Sequence, residues 1–219
     1  MTKYFAYIAT VMLITACGHK TKSVDSVCQQ NDTTYCDVIT DSNKEIIVAE
    51  SKDHRVRFIS WDTHNGGTAP DIQSVCVYRA DDNSVQSTTT PLLSIALGDM
   101  AYGHSVVKSL YQLDDADGET FYVAELYGEE SSLIKDCILV VFCIKGTELK
   151  PRDVFNFDGK ESSIYEVRYN QPTDYQEQVC MFNDKETSFS IQEVDKEMNL
   201  CEDRIRLVFD GNIFTTNNE

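Results

Sequence analysis

Basic residues are scarce in this chain: 19 Lys and Arg stand against 36 Asp and Glu, a formal net charge of −17. That imbalance repels phosphate backbones and anionic lipid headgroups. It excludes nucleic acid as a partner and leaves a cationic partner, a divalent cation or plain solubility as its uses. Proline is equally sparse, with four residues, and ten glycines and 42% apolar residues complete a composition that fits a globular body, not a disordered one. No apolar run approaches the roughly 20 residues of a spanning helix, and no amphipathic helix longer than two turns stands out. Sequences that announce chemistry are missing too. There is no GxSxG elbow, no Lys-Ser/Thr after Gly66-Gly67 to make a phosphate loop, no CxxC, and no Cys/His cluster at zinc-ligand spacing. The sequence therefore names no metal site and no cofactor.

What is present begins at the N-terminus. Lys3 supplies one positive charge, residues 4–14 form a short apolar run, and Ile14-Thr15-Ala16-Cys17 closes it. An apolar core of about ten residues is signal-peptide length and too short to span a bilayer. Gly18, His19, Lys20 and Lys22 follow at once, so the run cannot extend. These residues resemble the lipobox of bacterial lipoprotein signal peptides. The resemblance implies that residues 1–16 are removed and that Cys17 becomes a lipidated N-terminus, carrying a diacylglyceryl thioether and an N-acyl group such as palmitate. Several chains hold a protein far more firmly than one, since each buried methylene contributes about 0.8 kcal/mol. The residues after Cys17 lack the Asp that retains enteric lipoproteins at the inner membrane. They also lack the acidic export signal of some Bacteroidota surface lipoproteins. By that resemblance the expected address is the outer membrane, facing the periplasm.

Residues 17–43 then comprise the lipidated Cys17 and a flexible tether rich in Ser, Thr, Asp and Asn. Cleavage takes away one base and no acid, so 18 basic residues would face 36 acidic ones in the mature chain. Seven cysteines remain besides Cys17, and an odd number cannot all pair internally. Cys28 and Cys36 sit in polar sequence where a disulfide would close a small loop. Cys137 and Cys143 share one face of an apolar strand, roughly 20 Å apart, and read as small buried hydrophobes.

From residue 44 to 219 the pattern is strand after strand, read as a single antiparallel β domain. Runs at 45–50, 55–61, 74–79, 106–113, 120–127, 133–144, 164–169, 177–182, 187–194 and 204–209 are separated by polar turns, with Asp210-Gly211 turning into Ile213-Phe214. Alternation sets Val56 and Phe58 opposite Arg55 and Arg57, and turns Val75 and Val77 inward. The run 133–144 is apolar on both faces, as a central strand covered on both sides would be. A short helical turn is expected at 193–201. The fold class expected is all-β: an antiparallel sandwich, barrel or propeller-like meander of about ten to twelve short strands. The absence of an internal repeat weighs against a regular propeller. The closing segment 209–214 gives the body the look of small uncharacterised Bacteroidota lipoproteins.

Three places invite chemistry. Asp114-Asp115-Ala116-Asp117-Gly118-Glu119 looks like a calcium loop, yet aligned on Gly118 the first and twelfth positions are Leu113 and Ala124, which offer no side-chain ligand. A plain turn is the reading that fits. His104 and Ser105 are adjacent on a strand and point to opposite faces, so they form no dyad. The best site candidate is Trp61, Asp62, His64 and Asn65. These place the chain's single Trp beside planar hydrogen-bonding groups and a Gly pair, the combination that holds a sugar. A metal site from Asp62, His64 and His104 would require them to meet in space. With no catalytic residues named, the sequence points to a non-catalytic binding or accessory protein. It would be held to the membrane by its lipid and meet an envelope protein or glycan. The alternative is an envelope hydrolase or carbohydrate-active domain using the Trp61–His64 loop.

Overall fold

The computed structural model describes residues 46–64, 71–89, 92–97, 105–129, 131, 133–157, 159–170 and 179–216. Residues 1–16, Cys17, the tether with Cys28 and Cys36, Asn65, Gly66, Gly67 and His104 lie outside the described residues. Strands β1 (Ile46–Glu50), β2 (Val56–Asp62), β3 (Ile72–Arg79) and β4 (Val85–Thr88) form a four-stranded meander. A six-residue helix, α1 (Leu92–Leu97), follows. The second sheet takes β5 (Ser105–Asp114), β6 (Thr120–Glu129), β7 (Ile134–Lys145) and β8 (Glu148–Pro151). The short strands β9 (Phe155–Phe157) and β10 (Lys160–Ser162) leave for the third sheet, and β11 (Ile164–Asn170) returns to pair with β7. The third sheet is completed by β12 (Cys180–Asn183), β13 (Ser188–Val194), β14 (Leu200–Phe209) and β15 (Phe214–Thr216), in the order β10-β9-β15-β14-β13-β12.

The protein is all-β, and its strands pair antiparallel apart from the parallel contact of Phe214 with Phe155, between β15 and β9, and an isolated parallel bridge from Asn170 to Asn199. The described residues hold 15 strands, more than the alternation suggests, arranged as three sheets with no closed barrel. Helix α1 is far too short to cross a membrane, and no helix among the described residues is long and apolar enough to do so.

The middle sheet explains the layering. In β7, Ile138, Val140 and Phe142 project to one side and Cys137, Leu139, Val141 and Cys143 to the other, and all are buried. A strand apolar on both faces has to be covered twice. The first side packs on the meander through Ala49, Val56, Phe58, Cys76 and Tyr78, with Leu92 of α1 closing one end. The second side packs on the third sheet through Phe155, Phe189, Ile191, Leu207 and Phe214. Phe142 lies between Tyr122, stacked at 5.5 Å, and Phe58, edge-on at 6.0 Å.

Two details of the sequence pattern are corrected, one in the meander and one in the third sheet. Val75 is buried and Val77 half-buried on its outer side, but Cys76 and Tyr78, one residue out of phase, face the middle sheet and are buried as well. The stretch 193–201 is not helical: β13 and β14 flank a tight turn in which Asp195 Oδ1 accepts hydrogen bonds from the backbone N–H of Glu197 and Asn199. The carboxylate satisfies the turn's N–H groups, so no helical bond is needed.

Polar contacts also tie the meander to the middle sheet, among them Tyr78 Oη to the Thr147 carbonyl (2.8 Å) and the Gly146 N–H to Asp81 Oδ2 (2.7 Å). Asp53, in the β1–β2 turn, accepts hydrogen bonds from Ser51 Oγ (2.5 Å), Arg55 N (3.0 Å) and Tyr122 Oη (2.8 Å), and its own N–H donates to Gln112 Oε1 (2.9 Å). Partial burial pulls the Asp53 carboxyl pKa upward, but these donors win and hold it below the ordinary value. A depressed pKa contributes stability that is full above the unfolded value, near 3.8, and lost as pH falls through the folded one. Asp53→Asn is therefore expected to lose less stability than wild type between about pH 5 and pH 3 in urea titrations. At neutral pH, Phe142→Ala is expected to cost about 3–5 kcal/mol, whereas Val85→Ala, on an exposed site, changes stability by less than about 0.5 kcal/mol.

Candidate functional site

The loop singled out by the sequence begins at the end of β2. Trp61 is 5% exposed and packs with Ile46, Ile59 and Val75 on the outer side of the meander. Its backbone pairs with Ile46 on one side and Gln73 on the other. Asp62 and His64 form a turn of their own. Asp62 Oδ1 accepts the His64 backbone N–H at 2.8 Å, its Oδ2 lies 3.2 Å from His64 Nδ1, and His64 sits at φ +60° with its side chain 71% exposed. Thr63 closes the mouth of the loop, its N–H donating to Asp71 O (2.9 Å) and its hydroxyl to Asp71 Oδ2 (2.5 Å). Trp61 thus belongs to the packed side of the sheet, and His64 is what the described part of this turn offers to solvent. Asn65 and His104 are outside the described residues.

The acidic loop after β5 is a turn. The N–H groups of Asp117 and Glu119 donate to Asp115 Oδ1 (2.9 and 2.8 Å), while Arg152 pairs with Asp115 Oδ2. Arg152 and these backbone bonds hold the Asp115 pKa below its ordinary value. Both carboxylate oxygens are thereby engaged by the protein's own donors. His54, in the β1–β2 turn, is exposed and 3.2 Å from Glu50 Oε1.

A second polar grouping lies inside the molecule, between the middle and third sheets. Glu125 of β6 is 0% exposed. Tyr111 of β5 donates to Glu125 Oε2 at 2.6 Å, and Oε1 has no hydrogen-bond partner. Beside it, Tyr127 sits directly across from Cys137 in the β6–β7 register, and its buried hydroxyl also lacks a formed hydrogen bond. Cys180 of β12, fully buried, reaches in from the third sheet. One ligand atom each of Glu125, Cys137 and Cys180 lie within 4.8 Å of one another. Burial, followed by the Glu125 charge, drives the Tyr111 hydroxyl well above the usual phenol range. The Cys137 sulfur alongside, together with burial, pushes the Cys180 thiol up. No ion pair reaches Glu125 among the described residues. By contrast Asp136, the buried acid on the opposite face of the sheet, has Arg168 Nε at 4.0 Å, and burial and Glu166 raise its pKa to about 6.

The sequence reading named none of these residues as a site, because Glu125, Cys137 and Cys180 come from three strands and form no local motif. One signal was present. Phe121, Val123, Glu125 and Tyr127 occupy one face of β6, so Glu125 interrupts the buried phase of an otherwise apolar strand.

The fold defines a class, a three-layered antiparallel β protein whose middle sheet is buried on both sides. No family model, no characterised protein and no solved structure matches the chain. Trp61→Ala is expected to lower stability by about 3–5 kcal/mol, while His64→Ala stays within about 0.5 kcal/mol. Chemical denaturation of the two variants separates a core side chain from a solvent-facing one.

Proposed function

We infer that this is a lipid-anchored protein of the bacterial envelope with a non-catalytic binding or accessory role. The observation that carries the reading is the order of segments at the N-terminus. One basic residue, an apolar run of signal-peptide length, Ile14-Thr15-Ala16-Cys17 and then a polar stretch to residue 43 precede the first strand, β1. Acyl chains on Cys17 would hold the protein at the outer membrane, and residues 18–43, spanning at most roughly 90 Å when extended, would let the body stand clear of the headgroups. The net negative charge of the body favours that separation from an anionic surface.

The turns of the body support a presenting role. Asp82, Asp115, Asp195 and Asp210 each accept two or more hydrogen bonds within their own turns, which rigidifies the loops a protein or glycan partner would meet. A rigid surface loses less entropy on binding than a mobile one.

In the native cell, intact-mass measurement is expected to find a chain lacking residues 1–16 and carrying acyl mass on Cys17, recovered with membranes. Cys17→Ser is expected to retain residues 1–16 and lose the acyl mass. An acyl-free, full-length wild-type chain in the soluble fraction would contradict the anchor. Hydrolysis of a glycoside, ester or peptide panel that a single substitution abolishes would contradict the non-catalytic role.

A further inference from the structure

We propose that Glu125, Cys137 and Cys180 are ligands of a structural zinc ion that fastens the middle sheet to the third sheet. Three observations converge on it. The donor set is the first: two sulfurs and a carboxylate oxygen, all from buried residues, lie mutually within 4.8 Å. Zinc binds sulfur at about 2.3 Å and carboxylate oxygen at about 2.0–2.2 Å, so a tetrahedral site holds its donors about 3.4–3.8 Å apart.

The second observation is what the site lacks. Glu125 Oε1 has no hydrogen-bond partner in a fully buried position, and the Tyr127 hydroxyl beside Cys137 has none either. A buried carboxylate with one oxygen bonded to Tyr111 and the other left over is costly, and two sulfurs lie within reach of it. A sulfur–sulfur bond between Cys137 and Cys180 would account for the two cysteines and leave Glu125 and Tyr127 as they are. A cation accounts for the carboxylate as well, because it neutralises Glu125 and takes both sulfurs.

The third observation is the direction of the ligands. Glu125 and Cys137 belong to the middle sheet and Cys180 to the third, so the ion would bridge the two layers inside their shared apolar core, away from the edge where Asn170 hydrogen-bonds to Met198 and Glu197. Sulfur-rich donor sets select zinc over calcium or magnesium. On binding, each S–H bond breaks with its electron pair staying on sulfur and directed to the metal. The two protons leave to the buffer, and no oxidant or reductant is consumed. The resulting centre, a dication with three anionic ligands, carries one net negative charge. Arg204, donating to the carbonyl of Val179 next to Cys180 at 3.0 Å, supplies positive charge nearby.

The test uses the full chain, purified in detergent with its thiols reduced and titrated with zinc or cobalt(II) alone. One equivalent of metal is expected to bind. The cobalt form should show an intense thiolate-to-cobalt charge-transfer band, a readout on the wild-type protein that needs no variant to fold. Cys180→Ser should abolish the band. Glu125→Gln should weaken zinc binding by at least the roughly 10–100-fold that loss of even an outer-shell partner costs. Cys143→Ser, equally buried on the same face of β7 but outside the trio, should keep both. Absence of stoichiometric binding by the reduced wild-type chain would overturn the proposal. So would a charge-transfer band that survives Cys180→Ser, or a peptide from native material in which Cys137 and Cys180 are joined as a disulfide.

Discussion

The constraint on which this molecule depends is strand β7, which carries large apolar side chains on both faces. A half-buried strand needs one partner layer; this one needs two, and the chain supplies them from its two ends. The meander β1–β4 covers the face of Ile138, Val140 and Phe142, and the sheet built from β9, β10 and β12–β15 covers the face of Leu139 and Val141. Phe121 and Tyr122, adjacent on β6 and both fully buried, show that the neighbouring strand obeys the same rule. Burial of aromatic and branched side chains on both sides of one sheet is the dominant favourable term available to the fold.

The acidic composition takes on a local meaning once the turns are seen. Asp53, Asp82, Asp115, Asp195 and Asp210 all use side-chain oxygens to accept backbone N–H groups at strand ends, so a share of the negative charge is turn chemistry. Side-chain donors (Ser51 to Asp53, Ser84 to Asp82, Arg152 to Asp115, Asn199 to Asp195), followed by those backbone N–H groups, hold their carboxyl pKa values below the ordinary value, and at Asp210 the backbone bonds do so. Glu125 and Asp136 depart from this pattern as buried acids on opposite faces of the middle sheet; Arg168 faces Asp136, while Glu125 has one oxygen bonded to Tyr111 and the other left over.

How much of this could be read from the residues follows from segment length and range of interaction. β7 was legible because the eight unbroken apolar residues 137–144 admit few other readings, and the β5–β6 hairpin because Asp-Gly marks its turn. The strands β4, β8, β9 and β10 were not, because three or four residues show no alternation and depend on partners elsewhere in the chain. The inward face of β3 was only half legible, since a strand buried on both sides shows no polar phase from which to choose. At Trp61 the sequence allowed two readings, an aromatic platform or a packed ring; its place in register beside Ile46, set by pairing with β1, puts the ring on the outer face of the meander, buried with Ile46, Ile59 and Val75. The Glu125, Cys137 and Cys180 grouping is the extreme case, because its members are brought together by sheet stacking, which no local spacing encodes.

Native-state hydrogen exchange resolved by residue tests the doubly covered sheet most directly, because the slowest amides open only when the whole fold does. The account predicts that the slowest amides lie in β6 and β7, spread along both strands, and that their exchange free energies equal the global unfolding free energy from denaturant. Exchange of the β7 amides as fast as those of the edge strands β1 or β10, at free energies well below the global value, would contradict it.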